Sequence, residues 1–387
     1  MRTCYLDNGS TSFPKPKAVA DAVYEYMTGV GANIGRGGYE SAYSAAEMVF
    51  EARQLLTELF NGPDCKNVIF TKNITESLNV VLKGLLKPGD RVLVSSMEHN
   101  AMMRPLVQLK AKGVEFDRIP CRDDGSLIIE ELEPLIKPDT KAVAMLHASN
   151  VCGTVMPAAE VGRICKEKGL FFILDAAQTA GLLPVDMEAM NIDVLCFTGH
   201  KSLLGPQGTG GFILKEHMIP LIDPLLSGGT GSMSDSEEVP SFMPDRFEPG
   251  TMNLPGIMGL RAALLWHKEQ GMGTVLGHEL DLTEAFIKGL EPLEKEGLLR
   301  IAGIKGREGR VGVVSVLPAK TDPAELAFRL DSEYGIMTRV GLHCAPSAHK
   351  TLGTFPAGTV RFSFGYSTSE DDIEYALKAI GEILHGD

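Results

Sequence analysis

Between about residues 67 and 215 the chain alternates short apolar runs with segments of helical spacing. The apolar runs predict strands over Asn67–Thr71, Arg91–Ser95, Val114–Ile119, Lys141–His147, Leu170–Leu174, Val194–Thr198 and Gly210–Leu214. Helical spacing predicts helices between them, near 73–86, 101–112, 128–136 and 157–168. Strand and helix in alternation predict an α/β fold with a mostly parallel seven-stranded sheet flanked by helices. Runs such as Leu170-Phe171-Phe172-Ile173-Leu174 carry no polar alternation, as strands covered on both faces require.

The pattern breaks at 227–256, a stretch rich in Gly, Ser, Pro and acidic residues that predicts a long surface excursion. Helical spacing resumes near 257–296. Strands at Val311–Leu317 and Val360–Phe364 and a helix near 368–384 then predict a smaller α+β domain. The expected division is a large domain over 14–256 and a small one made of 1–13 and 257–387. A chain of 387 residues is long enough for two such lobes.

No apolar run approaches the roughly 20 residues that span a bilayer, and the segment Met1–Asp7 has no apolar signal core. A cytoplasmic protein with no membrane association is expected. The net charge of −13 repels phosphate backbones and argues against nucleic acid. The seven cysteines are Cys4, Cys65, Cys121, Cys152, Cys165, Cys196 and Cys344, with no CxxC pair among them. This argues against a disulfide framework and a structural zinc site, so no metal is expected, and the question becomes whether one thiol is reactive.

In open α/β sheets ligands bind beyond the carboxyl ends of the strands, where several polar residues fall here. Asn73 and Thr75 follow a strand and open a helix, which suits a phosphate or a plain helix cap. Asp175 closes a buried strand with Gln178 just beyond it, and needs a cationic partner from a ligand or from the protein. Lys201 stands just past another strand in Thr198-Gly199-His200-Lys201. A desolvated lysine there can form an imine, whereas a loop lysine would simply face solvent. His99 could stack on an aromatic cofactor or serve as a cap. The glycine run Gly205–Gly211 leads into a strand and does not fit a nucleotide loop. Cys344 lies in a loop with Arg339 and His343, a setting that favours a thiolate, and Arg361 could clamp a carboxylate or form an ion pair.

In combination these segments resemble the class V, fold-type I pyridoxal-phosphate (PLP) enzymes, and among them the cysteine desulfurase and selenocysteine lyase family of the SUF type (group II). The resemblance runs in order through Tyr5-Leu6-Asp7-Asn8, Asn33-Ile34-Gly35-Arg36-Gly37, Thr71–Asn79, Met97–Ala101, His147–Thr154, Leu174–Gln178, Phe197–Lys201, Arg246–Asn253 and Arg339–Ala345. It implies PLP bound to Lys201 as a Schiff base, with Asp175 on the pyridine nitrogen, Gln178 on the phenolic oxygen and His99 stacked on the ring. It implies a phosphate held by Asn73, Thr75, Thr198 and His200, with Thr251 reaching the cofactor of a second copy in a homodimer. Asn150, Arg339 and Arg361 would bind the substrate.

The implied reaction converts L-cysteine to L-alanine and leaves the sulfur on Cys344 as a persulfide, for a sulfur-acceptor protein. L-Selenocysteine is the alternative substrate, and another class V reaction is a third reading. An arginine, a histidine and a cysteine within one short loop favour the first, because transamination requires no thiol there. Two departures stand out. SUF-type enzymes usually carry histidine where this chain has Gly35, and a second histidine where it has Leu342. They bear on the partner and on sulfur against selenium, and leave the cofactor residues untouched.

Overall fold

A computed structural model describes residues 2–35 and 37–386, with Met272 described by its backbone only; Arg36 and the terminal residues lie outside the described residues. The strands are β1 (Cys4–Tyr5), β2 (Val68–Thr71), β3 (Arg91–Ser95), β4 (Glu115–Ile119), β5 (Thr140–Leu146), β6 (Phe171–Asp175), β7 (Val194–Thr198), β8 (Gly210–Leu214), β9 (Leu299–Ala302), β10 (Val313–Pro318), β11 (Ile336–Met337), β12 (Arg339–Gly341) and β13 (Thr359–Ser363). The helices are α1 (Lys17–Glu25), α2 (Glu40–Phe60), α3 (Ile74–Leu85), α4 (Asn100–Lys110), α5 (Ala158–Lys168), α6 (Leu254–Gln270), α7 (Met272–Lys295), α8 (Pro323–Tyr334), α9 (Pro346–Thr351) and α10 (Glu370–His385).

Seven strands form the large sheet in the order β2-β8-β7-β6-β5-β3-β4. All neighbours are parallel except β8, which runs antiparallel to both β2 and β7. Successive residues of the central strands enter opposite cores, as a pleated strand covered on both faces dictates. Phe172, Leu174, Leu195 and Phe197 pack with α2 and α6. Ile173, Val194 and Cys196 pack with α3 and α4 on the other face. β8 fits between its neighbours only because it begins with glycines. A Cβ on Gly211 would lie 2.4 Å from the Ile69 carbonyl oxygen, and one on Gly210 would lie 2.8 Å from Asn73 Cα. That close approach seats the first turn of α3 at the carboxyl end of β7.

The expected sheet is therefore present, with strand ends within a residue or so of their predicted places. One helix is not. Residues 128–136 form two short 3-10 turns, Ile129–Glu131 and Glu133–Leu135, instead of an α-helix. Pro134 has no N–H to give to the preceding turn.

The small lobe carries an antiparallel sheet in the order β12-β13-β10-β9, packed on α7, α8 and α10. β1 pairs with β11, and Asp7 bridges to Ser363 at the end of β13. α6 departs from the expected division at residue 256. Its Leu254, Ile257, Leu260 and Leu264 belong to the core of the large lobe, so packing changes hands near Gly271.

The excursion from Ile222 to Asn253 contains no helix or strand and is largely exposed. One point of it is anchored inside the protein. Glu248 pairs with Arg53 of α2 at 2.6 Å, with both side chains almost wholly buried (5% and 6%). Glu248 also accepts the Phe70 N–H at 2.7 Å, and Arg53 donates to the Val68 carbonyl.

Candidate active site

The large lobe supplies one half of the site from the carboxyl ends of its strands. Asp175 is the last residue of β6 and is 5% exposed. Its Oδ1 accepts the Ala177 N–H at 2.9 Å. Burial pushes its pKa up, opposed by that hydrogen bond and by the positive charge of Lys201. Lys201 follows β7 by three residues. Burial is the main cause that lowers its pKa from 10.5 to about 8; Asp175 opposes it, and Arg361 and Arg339 add to it. A half-buried amine with its pKa lowered to about 8 is a competent nucleophile and base.

The turn that carries Lys201 is clamped by the N-terminal segment and by α6. The His200 carbonyl accepts from the Ser12 N–H at 3.0 Å, Thr11 Oγ1 at 3.1 Å and Lys15 Nζ at 2.7 Å. The Lys201 carbonyl accepts from Ser12 Oγ at 2.9 Å. The Ser202 carbonyl is held by His267 Nε2 at 2.8 Å. Gln178 donates to the Gly9 carbonyl at 3.2 Å. The His200 imidazole has a buried Nδ1 with no partner, and burial lowers its pKa to about 4.

His99 caps α4. Its Nδ1 accepts the Ala101 N–H at 3.0 Å, which leaves the ring proton on Nε2. Burial first, then the charges of Lys201, Arg339 and Arg361, lower its pKa to about 3, so the ring is neutral. Asn73 caps α3 by accepting the Glu76 N–H at 3.0 Å. Thr75, His99, Arg104 and Cys344 face one open cleft of ≈ 370 Å³.

The small lobe supplies the other half. Arg361 on β13 is fully buried and donates to the Asn150 carbonyl at 3.0 Å and to Asp7 Oδ1 at 2.6 Å. Asn150 donates from its side chain to the His343 carbonyl at 2.8 Å, while its buried Oδ1 has no partner. Arg339 opposes Arg361 across the β12–β13 pair, and its Nη2 lies 3.7 Å from Cys344 Sγ. Cys344 is exposed, and its carbonyl accepts the Asn100 N–H at 2.7 Å beside His99. Cys4, Cys152, Cys165 and Cys196 are buried.

Lys201, Asp175, His99, Asn150, Arg339, Arg361 and Cys344 thus converge on the space between the lobes. Thr198 and Thr251 stand apart from this group. The Thr198 hydroxyl is turned inward and donates to the Thr209 carbonyl at 3.5 Å. Thr251 is exposed on another cleft of ≈ 410 Å³, with Thr71, Lys72 and Glu76. Sequence reasoning did not single out Ser10, Ser12 and Lys15, and it gave Asp7 no role. The available signal was the polar run Asp7–Ser12 directly after an apolar strand.

Residues 4–376 match the model of the aminotransferase class-V family. The chain belongs to that family. A relative in this class-V family, a probable cysteine desulfurase from Methanothermobacter thermautotrophicus, is 32% identical over 98% of this chain and 94% of its own length. A second probable cysteine desulfurase, from Pyrococcus abyssi, is 34% identical with the same coverage. Among solved structures, the class-V chain is similar to an apo cysteine desulfurase from Thermococcus onnurineus NA1. The TM-score is 0.93 at 33% identity, covering 100% of this chain and 95% of that one. An Escherichia coli cysteine desulfurase in an S-sulfonic acid form gives 0.87 at 28% identity, covering 98% and 94%.

Proposed function

We propose that this class-V enzyme is a PLP-dependent cysteine desulfurase that converts L-cysteine to L-alanine and takes up the sulfur on Cys344. The observation that carries this reading is the placement of one exposed thiol, 3.7 Å from Arg339, in the cleft that His99 also lines. The relatives of this length and similarity bear the same activity in their names.

The residues fit the cofactor. Asp175 is a buried carboxylate without a fixed cation of its own beyond Lys201, which suits a protonated pyridine nitrogen. His200 Nδ1 and Asn150 Oδ1 are buried without partners, and His99 presents a neutral ring. Lys201 would hold the cofactor, with Asp175, Gln178, His99, His200, Asn73 and Thr75 around it. When bound, PLP supplies an electron sink for the charge left on the substrate's α-carbon.

The chain's own residues account for the rest. Arg361 and Asn150 orient the substrate by its carboxylate. Lys201, in the uncharged form that makes up half of it near pH 8, removes the α-proton. Arg339 Nη2 stands 3.7 Å from the Cys344 sulfur. The Cys344 sulfur then bonds to the substrate sulfur as the Cβ–S bond breaks. The electron pair stays with the Cβ carbon, which takes a proton, and alanine leaves.

The exposed Thr251, on a loop pinned by buried Glu248, supports a homodimer in which it reaches the neighbouring copy's cofactor. The short turn from Gly341 to Pro346 supports a group II enzyme that waits for a sulfur-acceptor protein in the cytoplasm. Among the described residues no helix is long and apolar enough to cross a membrane.

The test is an assay of the pure protein for alanine, sulfide and selenide from L-cysteine and L-selenocysteine, with mass spectrometry after one turnover. The expected result is equimolar alanine and one added sulfur on Cys344. Selenide alone, with no turnover of cysteine, would assign a selenocysteine lyase. Added sulfur on Cys152 or Cys196 would remove Cys344 from its role. An active monomer in sedimentation would remove Thr251 from its role.

A further inference from the structure

The donors of Arg361 can be counted, and the count leaves no edge free for a two-pronged carboxylate. A guanidinium has five N–H groups and accepts nothing. Nη2 gives one to Asp7 Oδ1 at 2.6 Å and the other to Ser10 Oγ at 2.7 Å. Nη1 gives one to the Asn150 carbonyl at 3.0 Å. Nε is buried and has no partner. A carboxylate bound in two-pronged fashion uses either the Nη1–Nη2 edge or the Nε–Nη2 edge. Both edges include Nη2, and both of its protons are already taken.

Ser10 is equally committed. Its Oγ donates to Asp7 Oδ1 at 2.8 Å and accepts from Arg361 Nη2 and from Arg339 Nη1 at 3.0 Å. Asp7 therefore sits where a second carboxylate would sit, on the one face of Arg361 that a two-pronged ligand needs. It is also the less buried partner of the pair, with its side chain 21% exposed against 0% for Arg361, so it has somewhere to go.

We propose that Asp7 and Ser10 are a built-in placeholder for the carboxylate of an α-amino acid, that the ligand must displace them from Nη2, and that Asp7 thereby sets the affinity of the site. This rests on Arg361 being the substrate's carboxylate partner. The placeholder keeps a buried guanidinium paired while the site is empty, which matters because an unpaired buried charge is costly. It also ties the two arginines together through one hydroxyl. Removal of Ser10 from Arg361 leaves Arg339, the neighbour of Cys344, as the remaining cation on that oxygen.

The test is the binding of L-alanine, which carries the carboxylate and no sulfur, to the cofactor-loaded enzyme by calorimetry. Asp7→Asn keeps the size and the acceptor oxygen and removes the competing charge. It is expected to bind L-alanine about tenfold more tightly, the scale of one close like charge. Arg361→Gln is the control for the reading beneath. If Arg361→Gln loses binding and Asp7→Asn gains it, the placeholder stands. If Arg361→Gln loses binding and Asp7→Asn is unchanged or weaker, the placeholder is wrong and the substrate role of Arg361 survives. If Arg361→Gln binds normally, both fall.

Ser10→Ala is the second variant, should Asp7→Asn not fold. It is expected to gain about threefold, from one donor released; weaker binding would overturn the proposal. A further readout separates charge from structure. Asp7 also holds the Lys201 pKa up. In Asp7→Asn the pH at which the cofactor-free protein takes up PLP should move down, and an unmoved midpoint counts against a charge acting in the site.

Discussion

The turn after β7, Thr198–Lys201, leaves a strand buried along its whole length, whereas the turn after β12, Leu342–Ala345, leaves a three-residue edge strand that is half exposed. The first keeps ordinary backbone angles at Lys201, and its carbonyls are clamped by Ser12, Lys15 and His267. The second places two consecutive non-glycine residues in the left-handed region, His343 at φ +48° and Cys344 at φ +57°. Such angles cost on the order of 1–3 kcal/mol each and persist only when neighbours impose them. The neighbours here are specific. His343 bonds Thr359 Oγ1 through Nε2 at 3.0 Å, and the carbonyls of His343 and Cys344 are taken by Asn150 and Asn100. Hydrogen bonds to carbonyls thus hold both turns, the lysine at the end of a covered strand and the thiol with its sulfur exposed.

The sharpest break of this comparison is at the lysine. Lys201→Ala should lower alanine formation by at least about 10³-fold with the fold retained by circular dichroism, since the amine whose charge acts on Asp175 is removed. Turnover within tenfold of the original would end its assignment. Cys344→Ala should cost about 10²-fold with L-cysteine and much less with L-selenocysteine, because selenium leaves carbon without a nucleophile's help. Equal losses on both substrates would show that the loop matters for shape and not for sulfur transfer.

A smaller effect contrasts the thiols directly. Cys196, inside β7, has its pKa driven well above 9.0 by burial. Under native conditions iodoacetamide should modify Cys344 at least tenfold faster than Cys196, read by peptide mass mapping. Comparable rates would mean that the large sheet opens far more readily than its packing implies. The smallest effect concerns pH. Burial lowers the Lys201 pKa to about 8, so its uncharged form gains on raising the pH through that value. Uptake of PLP by the cofactor-free protein should accelerate about fivefold from pH 7 to pH 8 and level off above about pH 9. A rate still climbing tenfold per pH unit there would describe an ordinary exposed lysine.

The two turns also differed in how far the sequence announced them. Apolar runs without polar alternation predicted the sheet, and a lysine, an aspartate and a histidine at strand ends then predicted the large-lobe half of the site. That half is local: each residue lies within four positions of its strand. The small-lobe half is assembled from Asp7, Ser10, Arg339 and Arg361, separated by up to 354 positions. No periodicity reports such meetings. The inward turn of Thr198 was hidden for a related reason, since its acceptor, the Thr209 carbonyl, comes from the residue just before the antiparallel strand β8. The boundary at 256 missed α6 because a helix that packs on two others looks the same in sequence whichever lobe it joins.

The Arg53–Glu248 pair has a bearing on solubility. β2 is a terminal strand of the large sheet, and its outward Val68 carbonyl and Phe70 N–H would otherwise invite a strand from another molecule. The Arg53 guanidinium takes the first and the Glu248 carboxylate takes the second, so an ion pair stands in for the missing neighbour. At the opposite border, β4 carries charge instead, with Asp117 bound to Arg91 and Lys137. A protein that opens this seam by losing either partner would expose a hydrophobic edge to its own copies, and precipitation on storage would precede any loss of catalysis.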